Sequence, residues 1–252
     1  MLIEKCNHPG ADEGRIELRP AVASADEIVK NDGDTGLDDI LVARSFRMAA
    51  NNLRENFDGK VLDEHLRWHC APSRWTLERD RRVLRVEPDA PSDFWQRTHN
   101  GNSADNGHFL YMDVDGDFVM TTHASFTPLH RYDQAGLMVR VSPECWLKTS
   151  VEFEGESESS LGAVVTNFGY SDWSTQPFAG AAGAAWLRVR REGDDYIVDS
   201  SVDGRAWIQI RMAHLHEGRG RAVSCGLYAC SPKGAGFSAE FNHLTIEPGR
   251  VG

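Results

Sequence analysis

The stretch AGLMVRVSPECWLKTSVEFE, Ala135 to Glu154, decides the fold. Two runs of alternating residues are divided by a Ser-Pro turn, the pattern of an antiparallel strand pair with one face buried. Leu137, Val139 and Val141 point one way, and Met138 and Arg140 the other. Beyond the turn, Leu147, Thr149, Val151 and Phe153 oppose Lys148, Ser150 and Glu152. The first set of each strand is expected to build a sandwich core. The second leaves Arg140, Lys148 and Glu152 together on an outer face, where cross-strand neighbours lie about 5 Å apart. The plain reading of such a group is a surface ion pair contributing at most about 1 kcal/mol.

The same grammar runs outward from Phe57 to the C-terminus: short runs rich in Val, Phe, Tyr and Trp, punctuated by Asp-Gly, Gly-Asp and Ser-Pro pairs. About a dozen strands can be drawn, more than an immunoglobulin domain holds, and they suit an all-β jelly-roll sandwich of two antiparallel sheets. DVDGDF (Asp113 to Phe118) and SVDGRAW (Ser201 to Trp207) have the composition of tight hairpins with positive φ at both central residues. Residues 1–53 differ. They hold no aromatic residue before Phe46 and an acidic patch from Asn31 to Asp39. Thr35 with Asp38 resembles a capping box, and Asp38 to Leu53 has the composition of a short helix. The chain therefore divides into an N-terminal extension, 1–53, and a sandwich domain, 54–252.

Lysine and arginine number 27 against 38 acidic residues in the 252, a formal charge of −11. Such a surface repels phosphate backbones and anionic lipid, so neither nucleic acid nor membrane is expected as a partner. No run approaches the roughly 20 apolar residues of a membrane span. The opening residues also lack the basic end and apolar run of a signal peptide, so a cytoplasmic location is expected. The five cysteines have no short paired spacing, which fits buried, reduced thiols.

The ligand question turns on DFWQRTHNG, Asp93 to Gly101. Strand periodicity places Trp95, Arg97 and His99 on one face and Phe94, Gln96 and Thr98 on the other. If that face joins Arg140, Lys148 and Glu152, the result is an aromatic plate ringed by hydrogen-bonding groups, a floor suited to a sugar. The arrangement requires Trp95 and Lys148 on one sheet and not both buried. Trp173, in a long loop SDWSTQPFAGAAG, would plug the core or cover the ligand. EFEGE (Glu152 to Glu156) sets alternate carboxylates about 6.6 Å apart on a strand. Gly155 signals a turn, however, and leaves Glu152 as the one acid firmly on the sheet. A hydrolase would need a second acid, with Asp133 and Asp172 as candidates. The Asp113, Asp115, Asp117 ladder lacks EF-hand spacing and reads as a solvated hairpin. His108 reads as a satisfied structural histidine. No phosphate loop, zinc-ligand pair or nucleophile elbow is present, so no metal and no cofactor are expected.

DFWQRTHNG followed by DNGHFLYM, then YDQAGLMVR, WLKTSVEFE, AVVTNFGYSDWS, WLRVRREGD and SVDGRAW, resemble in content and order a family of bacterial and fungal proteins. It is a domain of unknown function that includes the yeast regulation-of-enolase protein. The likeness runs from about Phe57 to Glu247. It implies the concanavalin A-like lectin/glucanase fold, is similar to the sandwich at the C-terminus of some β-xylosidases, and makes carbohydrate the first ligand class to expect.

The sequence thus points to a saccharide- or sugar-metabolite-binding sandwich. Trp95 would be the plate, Arg97, His99, Arg140, Lys148 and Glu152 the polar ring, and Trp173 the cover. Two alternatives stand beside it. One is a glycoside hydrolase or lyase with Glu152 or His99 as acid/base; the other is a regulator that binds a metabolic enzyme as its protein partner.

Overall fold

The structure, a computed structural model, describes residues 52–155, 158–178 and 183–249. The capping box at Thr35 and the expected helix, apart from its last two residues, lie outside them. Among the described residues there are seventeen strands and no helix. In chain order they are β1 (Leu53–Glu55), β2 (Arg67–His69), β3 (Arg74–Glu78), β4 (Val83–Glu87), β5 (Phe94–Gln96) and β6 (Ser103–Asp105). β7 (His108–Val114), β8 (Phe118–Thr127), β9 (Gln134–Ser142), β10 (Cys145–Gly155), β11 (Glu158–Asn167) and β12 (Tyr170–Pro177) follow. The last are β13 (Ala184–Glu192), β14 (Asp195–Ser201), β15 (Ile208–His214), β16 (Val223–Cys230) and β17 (Ser238–Pro248).

The strands form the expected sandwich of two antiparallel sheets. One sheet runs β15-β14-β13-β8-β17-β4-β3, with β1 also paired to β17, and the other runs β12-β11-β10-β9-β16-β7-β2. The strands that sequence patterning misses are β1, β2, β3, β6 and β12. Most lie at sheet edges and are short, and β12 is exposed at nearly every position on both faces, so no buried face imposes an alternation there. Interior strands read cleanly: β8 buries every second residue from Phe118 to Phe126. β10 reaches Gly155, as its sequence suggests, with a register shift between Phe153 and Gly155.

The Asp-Gly turns differ from expectation. DVDGDF joins β7 of one sheet to β8 of the other, so it crosses the sandwich and is not a hairpin. SVDGRAW does join the paired strands β14 and β15, through a longer loop. In both, only the glycine has positive φ, 71° at Gly116 and at Gly204. Ser201 Oγ and the Asp203 carboxylate accept the loop amides that the strands leave over, at 2.9 Å from Gly204 N and 2.8 Å from Arg205 N.

The main core lies between the sheets and includes Leu137, Val139, Leu147 and Val151 of β9 and β10. A second cluster occupies the opposite face of the seven-stranded sheet: Met138, Trp146, Val164, Tyr228 and Cys230 pack there with Phe109 and Phe94. That face is covered by β5 and β6, which pair only with each other. The cysteine expectation needs correction. Cys145, Cys225 and Cys230 are free and buried, but Cys70 is disulfide-bonded, a pairing that no short sequence spacing announces.

Candidate functional site

The β5–β6 ribbon makes the site. β5 stops at Gln96 because Arg97 and His99 take φ of 49° and 73°, a left-handed conformation incompatible with a strand. The loop that follows holds itself together, with Arg97 N bonded to Asn102 O at 2.8 Å and Gly101 N to Arg97 O at 2.7 Å. The expected single face of Trp95, Arg97 and His99 therefore does not form. Trp95 lies on the ribbon and Lys148 on the seven-stranded sheet, so the requirement of one shared sheet is not met. The ribbon lies over that sheet instead, and both residues border the space between.

Four polar anchors fix the ribbon. Lys148 Nζ donates to Phe94 O at 2.7 Å and reaches Asp93 Oδ1 at 3.3 Å. Gln96 N donates to Ser171 Oγ at 2.9 Å, and Gln96 Nε2 to Pro143 O at 3.1 Å. Arg140 Nη2 donates to Asp105 Oδ2 at 2.6 Å. Below them Phe94 is fully buried, edge-on to Trp146 and Tyr228. The apolar wedge carries the burial and the polar anchors set its register.

Beside the wedge a cavity of about 1740 Å³ opens, lined by ribbon, sheet and adjoining loops. Lys148 and Glu152 form its floor, 2% and 7% exposed, on alternate positions of β10. The buried Lys148 amine also lies 5.7 Å from the ring centroids of both Trp146 and Tyr228. Burial pushes the Glu152 carboxyl up to about 8; Lys148 works against that rise, and Glu154 and Asp93 add to it. Glu152 thus faces the cavity as a largely protonated acid near neutrality, able to donate as well as accept.

Trp95 and Trp173 stand on the cavity walls. The Trp95 indole N–H is committed to Thr98 O at 3.0 Å, which fixes the plane of the ring. Trp173 is on β12, opposite Val164 of β11, and 42% exposed. The loop expected around it is a strand over Tyr170–Pro177, a correction that follows from its polar edge position. His99 lies at the rim, exposed.

The two arginines stand elsewhere. Arg97 is exposed outside the lining, paired with Glu144 and 5.7 Å from the Tyr170 ring. Arg140 is committed to Asp105, itself a lining residue. Asp133 is buried outside the cavity lining, where it accepts from Leu129 N, His130 N and Ser231 Oγ and ties the adjoining loops together. Asp172 is on the cavity wall but exposed, 3.0 Å from Arg211. His108 is buried between Cys70 O and Asp89 N, and burial holds its pKa down. Asp113 is taken by Arg67 and Ser224, and Asp117 accepts from Gly193 N.

Lining residues that sequence reasoning missed include Asp93, Asn106, Tyr132 and Gln134. Of these only Asp93 carried a signal, its place at the head of the quoted ribbon strand.

Comparison with known proteins adds four findings. A family model described as "Protein of unknown function (DUF1349)" matches residues 68–249. Regulation of enolase protein 1 of Saccharomyces cerevisiae is 34% identical over 161 residues, covering 64% of this chain and 79% of that protein. A crystal structure of a functionally unknown protein from the same yeast superimposes with a TM-score of 0.68 at 30% identity, over 74% of this chain and 97% of the other. The Bacteroides ovatus xyloglucan PUL GH43B shares the fold at 17% identity and a TM-score of 0.63, over 77% of this chain but only 39% of its own.

Proposed function

The chain belongs to the DUF1349 family of proteins of unknown function, and from that premise we propose that it binds a neutral saccharide in the cavity between the ribbon and the seven-stranded sheet. The observation that carries this reading is the pairing of two tryptophan walls, Trp95 and Trp173, with a buried polar floor, Lys148 and Glu152, in one space. Sugars present C–H faces that stack on indoles and hydroxyls that need both donors and acceptors, and this lining offers both. The cavity exceeds the roughly 300–1,000 Å³ of a typical small-ligand pocket, which favours an oligosaccharide over a single ring. Three aspartates, Asp93, Asp105 and Asp172, line it beside the protonated Glu152, and Asp93 already occupies Lys148, so neutral sugars are favoured over sugar phosphates. The xyloglucan in the name of the Bacteroides ovatus protein supplies the first ligands to try.

The test is titration with neutral xylo- and gluco-oligosaccharides, followed by calorimetry. Trp95→Ala and Trp173→Ala should each weaken binding roughly 2- to 13-fold, the worth of one stacked ring at about 0.5–1.5 kcal/mol. Binding indifferent to both substitutions, or no binding to a folded protein, rejects the reading.

A hydrolase is the second reading, favoured by the raised pKa of Glu152, which keeps the carboxyl protonated as a general acid must be. The carboxylate available to work with it, Asp93, is tied to Lys148, so product analysis with the same oligosaccharides should show turnover only if that pair opens. A regulator, the role the yeast relative's name prompts, would use exposed apolar groups such as Phe168 and Tyr170, 69% and 60% exposed.

A further inference from the structure

Away from the cavity, one cluster gathers metal-ligating groups from distant parts of the chain. Cys145 opens β10, while His216 and Glu217 follow β15. One ligand atom from each lies within 4.8 Å of the other two. None of the three lines the cavity. The cysteine is fully buried, whereas the His216 and Glu217 side chains are 26% and 29% exposed, so the cluster opens to solvent on one side.

A second, independent observation concerns how the imidazole is held. Asn167 Nδ2 donates to His214 O at 2.8 Å, which turns Asn167 Oδ1 toward the cluster. That oxygen then accepts from His216 Nδ1 at 2.9 Å, from His216 N at 3.2 Å and from the Cys145 thiol, whose Sγ donates at 3.4 Å and would give up this proton on ligating an ion. Phe168 stacks on the ring with centroids 3.7 Å apart. With Nδ1–H committed to a carbonyl oxygen, the lone pair is left on Nε2, 3.7 Å from Glu217 Oε1. This is the outer support that metal-binding histidines ordinarily have, a ring nitrogen anchored to an oxygen so that the other can ligate. Nitrogen and oxygen ligands at about 2.0–2.1 Å from a tetrahedral ion sit about 3.4 Å apart, close to the spacing already present.

We propose that Cys145, His216 and Glu217 form a binding site for a zinc-class divalent cation, with three protein ligands and the fourth position open to solvent. Thiolate, imidazole and carboxylate together match a borderline-soft ion better than calcium or magnesium, which take oxygen alone. The ion would join the first residue of β10 in the seven-stranded sheet to the segment that leaves β15 in the eight-stranded sheet, and so would staple the sandwich at one end. Asn167 would be a positioning residue.

The test uses Co²⁺ as the probe on chelator-treated full-length protein. One equivalent should produce the thiolate-to-cobalt charge-transfer absorption and the visible bands of a tetrahedral site, displaced by Zn²⁺. Cys145→Ser should lose the charge-transfer absorption. Asn167→Ala should keep it while binding about 10- to 100-fold more weakly, which a general loosening of the fold would not produce. Circular dichroism without metal checks that each variant is folded. Should Cys145→Ser fail to fold, Glu217→Gln decides, with at least a tenfold loss of affinity expected. No thiolate band in the wild-type protein, the same band in Cys145→Ser, or unchanged affinity in Glu217→Gln would overturn the proposal.

Discussion

Glu152→Gln should make the protein more stable, and increasingly so as the pH rises from 5 to 8. The ordinary carboxyl value of 4.5 is raised to about 8 in the fold, chiefly by burial. Between those values the unfolded chain carries an ionised glutamate and the folded chain a protonated one, so folding takes up a proton. The sign follows. A group whose folded pKa is raised contributes stability that is fully present below about pH 4.5 and lost as the pH climbs to about 8. At about 1.4 kcal/mol per pH unit the loss reaches roughly 3 kcal/mol at pH 7 and at most about 5 kcal/mol above pH 8. Glutamine keeps the shape and both hydrogen-bonding senses but has no proton to gain. At about 2–4 °C per kcal/mol for a domain of this size, the variant should melt roughly 6–12 °C higher at pH 7 and within about 3 °C of wild type at pH 5. Calorimetric melting of both proteins across that range measures the difference. A pH-independent difference, or a variant less stable at pH 8, would mean that Lys148 holds Glu152 ionised, and the picture of a protonated donor in the cavity would be wrong.

Three further outcomes concern the frame. Lys148→Met should lower stability by roughly 1–3 kcal/mol, below the cost of breaking a fully buried pair because Asp93 keeps 29% exposure, and should speed amide exchange in β5 and β6 before the rest of the sheet. Uniform exchange would deny the lysine its anchoring role. Asp133→Ala strips the Leu129 and His130 amides of their acceptor, while Ser231 Oγ keeps Gly234 O, and should cost at least about 2 kcal/mol, read from the urea midpoint; a change under about 1 kcal/mol would contradict the network. Gly136→Ala should abolish folding or cost several kcal/mol, because its Cβ would lie 2.0 Å from Thr149 O; soluble expression with wild-type melting would show the strands more widely spaced.

Much of the sandwich was legible because interior strands alternate. β13 buries every second residue from Ala185 to Arg191, and such a pattern admits one fold class. The sequence also placed Lys148 and Glu152 on the right face of β10. It could not show that the face is covered, because the cover is a ribbon with three residues to a strand whose turn depends on positive φ at Arg97 and His99, residues that seldom adopt it. What read as a surface ion pair is therefore a buried floor. Trp173 falls in an expected loop for a related reason: an edge strand exposed on both faces has no period to read. Cys145 and His216 come together only through the sandwich, and linear spacing holds no trace of that.

The strand that carries Trp173 is also the terminal strand of its sheet. Open edges invite strand-to-strand self-association, and natural sheets blunt them with proline, charge or short length. β12 ends on Pro177 and offers Asp172. The guard of the open edge and the wall of the proposed sugar site therefore share one stretch of sequence. A substitution that improves the fit of a sugar against Trp173 also alters the defence of the edge, so affinity gained there should be screened for aggregation in the same experiment.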